Sequence, residues 1–206
     1  PLVIGIKQEE VYSIFKEISS KKEAPIHISQ ERYTDSKLPK YQLENVNTAI
    51  TALEELHVEC SEKLIQKALT SLYKNTGYQK RMEIIQENPR IILDASHNKE
   101  GLEKTMQAVH RMSKGEVYCI LGSTKEREIN QSFMDLFKSS KLYITTFSNE
   151  RSKCINEWNN IHSMFHTSFE IHEDVNELYA QLKRKLRLDD TLIVTGSFFL
   201  ISDLNL

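Results

Sequence analysis

A chain of 206 residues, 39% hydrophobic and 27% charged, carries enough apolar material for one large domain or a domain and a half, in the range of a globular protein. Its 27 basic and 29 acidic residues are spread evenly on both sides of Thr76, which leaves no basic half or tail to track a nucleic-acid backbone. No apolar run approaches the ~18 residues of a membrane span and no signal-peptide pattern opens the chain, so the expected setting is the cytoplasm.

Residues 2–5 read as a buried strand and 8–19 as a helix with Val11, Ile14, Phe15 and Ile18 on one face. So abrupt a start, on Pro1 rather than Met, suggests a piece of a longer protein. Pro25 breaks the pattern, IHIS at 26–29 reads as a strand, and the polar stretch from Gln30 to Lys40 reads as loop. A strong helix is expected over 42–56 and a weaker one over 60–72. On the stronger helix Leu43, Val46, Ile50 and Leu53 form an apolar stripe that Ala49, Ala52 and Leu56 widen, with Glu44, Asn47, Thr48, Thr51, Glu54 and Glu55 on the solvated side. Gln42 and Asn45 fall inside the apolar arc. An unpaired buried amide costs about 1–3 kcal/mol, so these two either meet a partner or bond to nearby backbone, as polar residues at helix starts often do. The polar stretch around Gly77 divides residues 1–76 from 77–206.

Beyond it, apolar runs at 82–85, 91–93, 117–121, 142–146, 169–171 and 191–195 alternate with helical patterns at 99–112, 127–138, 153–165 and 174–187. This rhythm predicts an α/β domain, a mostly parallel sheet with helices on both faces. The first two runs are too close for a crossover and predict an antiparallel hairpin.

The run ILD at 92–94 stops at an acid, and Ala95, Ser96, His97 and Asn98 lead into a helix. Open α/β sheets place ligand sites at such strand ends. An acid there can take a ribose hydroxyl, and imidazole and amide can reach a phosphate or carboxylate. Alternatively, Ser96 or Asn98 merely caps the helix. Two more polar loops share the same edge: Gly122-Ser123-Thr124-Lys125 after VYCIL, and Gly196-Ser197 after TLIV. Arg81, just past the boundary, is placed to clamp a phosphate, or is a surface salt-bridge partner. Three scattered cysteines without a CxxC, and seven histidines without an HxH, predict neither disulfides nor a protein-held metal. No GxxxxGK[ST] phosphate loop occurs.

Several of these motifs in order resemble the carboxyl-terminal part of the folylpolyglutamate synthase/dihydrofolate synthase family, within the Mur ligase superfamily. YQLENVNTAITALEEL is similar to its "hQ-x-x-N-x-x-x-A" helix, and KRMEII with PRIILDASHNKEG to "GR-hydrophobic-E-x-I … ILDGAHNP". The closing EDVNELYAQLKRKLRLDDTLIVTGSFFLISDL is similar to "eDxxeA … D-x-hLhTGSlyLh". The resemblance implies a Rossmann-like glutamate-ligase domain over 77–206 and the tail of a central ATP-binding domain over 1–76. It implies ATP and Mg2+ as cofactors, with the metal ligands mostly upstream, and L-glutamate with dihydropteroate or tetrahydrofolate as partners, in a monomer without nucleic acid or membrane. By the same token Asn45 would contact the nucleotide, Arg81 the phosphates and Asp94 the ribose, while His97 and Ser197 would act near the acyl phosphate and the incoming glutamate. The chain departs from the pattern at Lys80, where the family carries Gly, at Ala95-Ser96 in place of Gly-Ala, and at STKER (123–127), which does not match a "DKD"-like stretch and receives no role. Rival readings are a peptidoglycan-precursor Mur ligase and a non-catalytic nucleotide-binding module.

Overall fold

The computed structural model describes residues 1–35, 38–77 and 79–206, apart from the side chain of Tyr73. The chain divides into two compact units, Pro1–Tyr78 and Gln79–Leu206.

In the first unit, β1 (Leu2–Ile4) and β2 (Ile26–Ile28) pair in parallel across α1 (Glu9–Lys21), and α2 (Lys40–Glu55), α3 (Glu62–Thr70) and α4 (Leu72–Thr76) follow. Ser61 caps α3, accepting from Leu64 N–H. One expected helix over 60–72 is thus two, broken at Ser71. The face of α2 differs from the expected one. Asn47 and Thr51, assigned to the solvated side, are buried, while Asn45 is exposed and Gln42 half-buried. Asn47 can go inside because every polar atom it carries is used. Its Oδ1 accepts from Arg32 and Tyr33 N–H, both at 2.8 Å, and its Nδ2 donates to the Tyr33 and Leu43 carbonyls. The helix therefore turns toward the 30–35 loop, and Leu53 and Leu56 are left exposed.

The second unit is built on a six-stranded sheet in the order β3-β4-β8-β5-β6-β7, formed by Glu83–Glu87, Arg90–Asp94, Thr191–Thr195, Val117–Leu121, Lys141–Thr145 and Phe169–His172. β3 and β4 are the antiparallel hairpin; every other pairing is parallel. Strand alternation then fills two layers. Ile91, Leu93, Ile120, Leu192 and Val194 pack with Leu178 and Leu182 of α8 (Val175–Lys185) and with Leu200 and Ile201 of α9 (Phe198–Ser202). Their neighbours Ile92, Cys119, Leu121 and Ile193 are fully buried on the opposite face, where α5 (Lys99–Met112) lies, its Thr105 hydroxyl reaching Asp94. α6 (Gln131–Met134) and α7 (Ile155–His162) complete the set. The expected helix over 127–138 is far shorter, because Asn130 caps at Phe133 N–H and starts it late, and a 3₁₀ turn at Asp135–Phe137 ends it. Residues 124–130 thereby become loop, beside the strand ends.

Candidate functional site

β8 inserts between β4 and β5, although the chain leaves β4 through α5 and reaches β8 through α8, which packs on the other face. Loops after such neighbouring strands diverge and leave a crevice at their carboxyl ends. The loops after β8 and β5 touch at two glycines. Gly196 has φ +102°, and a Cβ there would lie 2.1 Å from the Gly122 carbonyl oxygen, so only glycine allows this approach. Ser96 O accepts from Gly196 N–H at 3.1 Å, which draws in the third loop.

Four of the five expected site residues lie at this edge, and their geometry divides them. Asp94 does not face a ligand, against expectation. Its carboxylate is 0% exposed; Oδ2 accepts from Met82 N–H at 2.8 Å, and Oδ1 from Ser96 N–H at 2.9 Å and the Thr105 hydroxyl at 3.0 Å. With its lone pairs so used and no opening to solvent, it holds the turn and cannot reach a ribose as it stands. Ser197, expected near the acyl phosphate, is likewise enclosed, and its Oγ accepts from Phe199 N–H as the cap of α9. Asn98 caps α5 through Gly101 N–H. The capping alternative thus holds for Asn98.

His97 is exposed, with Nδ1 3.1 Å from the Ala95 carbonyl. A carbonyl only accepts, so Nδ1 carries the proton and the neutral ring keeps its acceptor at Nε2. Arg81 is half-buried between two residues in the left-handed region, Lys80 (φ 65°) and Met82 (φ 50°). The glycine of the resembled pattern is explained by that φ; lysine adopts it at a cost of about 1–2 kcal/mol, offset by a bond from Ala95 N–H to Lys80 O at 2.7 Å and an ion pair to Glu83 at 3.4 Å. The Arg81 guanidinium sits over the Phe198 ring, 5.4 Å from its centroid. Asn45, the fifth residue, is exposed on α2 in the other unit, so the inward-facing amide expected of it is not found.

One residue set aside by sequence reasoning belongs to the site. Arg127 is half-buried, with Nη1 donating to Ser123 Oγ at 3.3 Å and to Gly196 O at 3.4 Å and its guanidinium over Phe133. None of these partners is a carboxylate. Burial pulls its pKa down from the ordinary value, yet an arginine remains protonated. The guanidinium borders a crevice of about 400 Å³ lined also by His97, Lys99, Glu126 and Glu128. A lining that holds both cations (Lys99, Arg127) and carboxylates (Glu126, Glu128) suits a zwitterion. The signal available in sequence was the charged triplet Lys125-Glu126-Arg127 in a loop directly after a buried strand.

Residues 80–198 match the model of the Mur ligase glutamate ligase domain. The chain belongs to this family. Among curated proteins, this Mur ligase domain chain is 23% identical over 166 residues to the dihydrofolate synthase/folylpolyglutamate synthase of Bacillus subtilis, covering 80% of itself and 38% of that protein. Among solved structures it resembles the bifunctional folylpolyglutamate synthase/dihydrofolate synthase of Yersinia pestis complexed with AMPPNP and Mn, with a TM-score of 0.78 at 17% identity over 97% of this chain and 51% of that one. Another such bifunctional synthase, solved with Mn, AMPPNP and L-glutamate bound, gives a TM-score of 0.77 at 19% identity, covering 97% and 51%. The chain thus spans about two-fifths to one half of the relatives it matches. Among the described residues, no group of three or more histidine, cysteine or acidic side chains converges as a metal-ligand set. The residues present do not fit a divalent cation by themselves.

Proposed function

We propose that the chain is the carboxyl-terminal portion of an ATP-dependent amide ligase that adds L-glutamate to a pterin-linked carboxylate, dihydropteroate or tetrahydrofolate. In that reaction the carboxylate attacks the γ-phosphorus of ATP and ADP leaves. The glutamate amine then attacks the acyl carbon, inorganic phosphate departs and the nitrogen loses a proton. Such chemistry relies on pre-placed cations and ordered reactants more than on a covalent nucleophile. In this reading Arg81 contacts phosphate and Asn45 the nucleotide. Arg127, with Lys99, takes the carboxylates of glutamate, and Glu128 faces its ammonium. His97 Nε2 is placed to accept a proton from that ammonium, since only the free amine is a nucleophile.

The observation that carries this reading is Arg127: a half-buried guanidinium without a carboxylate partner among the described residues, on a crevice of amino-acid size. It is supported by the family match and by the relatives named above. Because no GxxxxGK[ST] occurs in the 206 residues, the chain alone should not turn over ATP. Calorimetric titration with L-glutamate provides the test. Arg127→Ala should weaken binding by at least tenfold, as loss of a charge-assisted bidentate contact does, whereas Lys125→Ala, whose side chain lies outside the crevice, should not. Equal affinity in wild type and Arg127→Ala, or ATP hydrolysis by the isolated chain, would overturn the proposal.

A further inference from the structure

Lys99 and Arg127 reach the same crevice from different loops: Lys99 is the first residue of α5, and Arg127 lies in the loop after β5. Both Nη1 hydrogens of Arg127 are spent, on Ser123 Oγ at 3.3 Å and Gly196 O at 3.4 Å, and one face of the guanidinium lies over Phe133. Among the described residues its Nε and Nη2 have no hydrogen-bond partner. These two nitrogens form one edge of the guanidinium fork, an edge that pairs with a carboxylate through two parallel bonds. One carboxylate fills that edge, so a second carboxylate on the same ligand needs another cation.

Lys99 supplies it. Its Nζ donates to Ser132 Oγ at 3.0 Å, and that hydroxyl donates to Asn130 Oδ1 at 2.8 Å, so the ammonium is tethered between the starts of α5 and α6. The tether uses one of three N–H donors, and no carboxylate among the described residues takes the others. Helix α5 does not itself call for a lysine at this position. Asn98 already caps it through Gly101 N–H, and a cation beside the positive end of a helix is disfavoured. In the resembled pattern ILDGAHNP the position is proline, which suits a first helical residue and carries neither charge nor donor. A residue that works against its own helix and lines a crevice is explained by what it meets there.

We infer that Lys99 is a specificity-determining residue, which selects for the side-chain carboxylate of a dicarboxylic amino acid held in the crevice. The inference rests on the reading of this crevice as the glutamate site, and it goes beyond that reading by dividing the two carboxylates between the two cations. The α-carboxylate is attached to the carbon that bears the reacting amine, so its place must be fixed, and it goes to the pinned, planar fork of Arg127. The distal carboxylate goes to the point charge of Lys99, on its flexible stem at the exposed rim.

The test uses the full 206-residue chain, titrated calorimetrically with L-glutamate and with L-glutamine, which has the same shape and α-carboxylate but a neutral side chain. An ion pair at an exposed rim changes affinity by about two- to five-fold, and wild type should prefer L-glutamate by that factor. Lys99→Met and Lys99→Pro should bring the ratio of the two affinities to one by weakening L-glutamate alone. Lys99→Arg should keep the ratio, and Arg127→Ala should weaken both ligands alike. A wild-type ratio of one, or a ratio in Lys99→Met equal to that of wild type, would overturn the inference; with both ligands still lost in Arg127→Ala, the glutamate reading would stand. No binding of L-glutamate by wild type, or wild-type affinity in Arg127→Ala, would overturn the glutamate reading and this inference with it.

Discussion

Three donors converge on the Asp94 carboxylate from three different segments: the 80–82 crossing, the turn after β4, and α5. An enclosed acceptor of this kind acts through the geometry it imposes. Replacing it by Asn leaves one oxygen and turns an NH2 group toward a backbone N–H, so one donor is orphaned; a buried donor left unsatisfied costs about 1–3 kcal/mol. Asp94→Asn should therefore lower the unfolding free energy by on the order of 2 kcal/mol in urea titration and also weaken pyrophosphate binding, because Met82 and hence Arg81 is released. Thr105→Val removes one donor to the same carboxylate and should lower stability by roughly 1 kcal/mol with pyrophosphate affinity intact. Identical binding losses in the two variants would show that Asp94 does not act through the 80–82 crossing. That an acid ends β4 was legible in the sequence. Which way its carboxylate turns was not, because an Asp at a strand end satisfies the same pattern whether it caps a turn or faces a ligand. Asn47 misled for a related reason: a polar side chain is assigned to solvent unless its four backbone partners, drawn from residues 32, 33 and 43, are known.

At the level of elements, α5 carries a titratable group in its last turn. His110 is half-buried, with Nε2 3.3 Å from Ser140 Oγ, and desolvation lowers its pKa from the ordinary 6.5. The unfolded chain then binds the proton more readily than the folded one, so stability is full above pH 6.5 and falls as pH drops through the lowered value. His110→Gln should flatten the decline of melting temperature between pH 7.5 and 5.5 relative to wild type; parallel declines would mean that His110 does not contribute to it. The central strands β4, β8, β5 and β6 were readable because each is a short apolar run closed by a polar or glycine residue, and both layers bury it from either side. Strand order was not, since nothing local tells β8 to enter between β4 and β5. The shortness of α6 escaped for another reason. Phe133, Met134 and Phe137 have helical spacing and are buried, but the cap at Asn130 begins the helix only at Gln131, four residues after Arg127.

Across the whole molecule the two units are unequal in packing. The second unit has a continuous two-layer core, whereas the first has a two-stranded sheet and an apolar stripe on α1, Ile14, Phe15 and Ile18, left 40–53% exposed. The chemistry-bearing residues of the second unit gather at one edge, where the topology puts a crevice, and the family match covers that edge from Lys80 to Phe198. The most direct measurement of the account is an amide-resolved NMR titration of the 206-residue chain, first with pyrophosphate and then with L-glutamate. Pyrophosphate should move residues 80–82 and 196–199, and L-glutamate residues 97–99 and 124–130, each saturably. Shifts confined to residues 146–148 and 173–176, which line another cavity, or no saturable shift with either ligand, would contradict it.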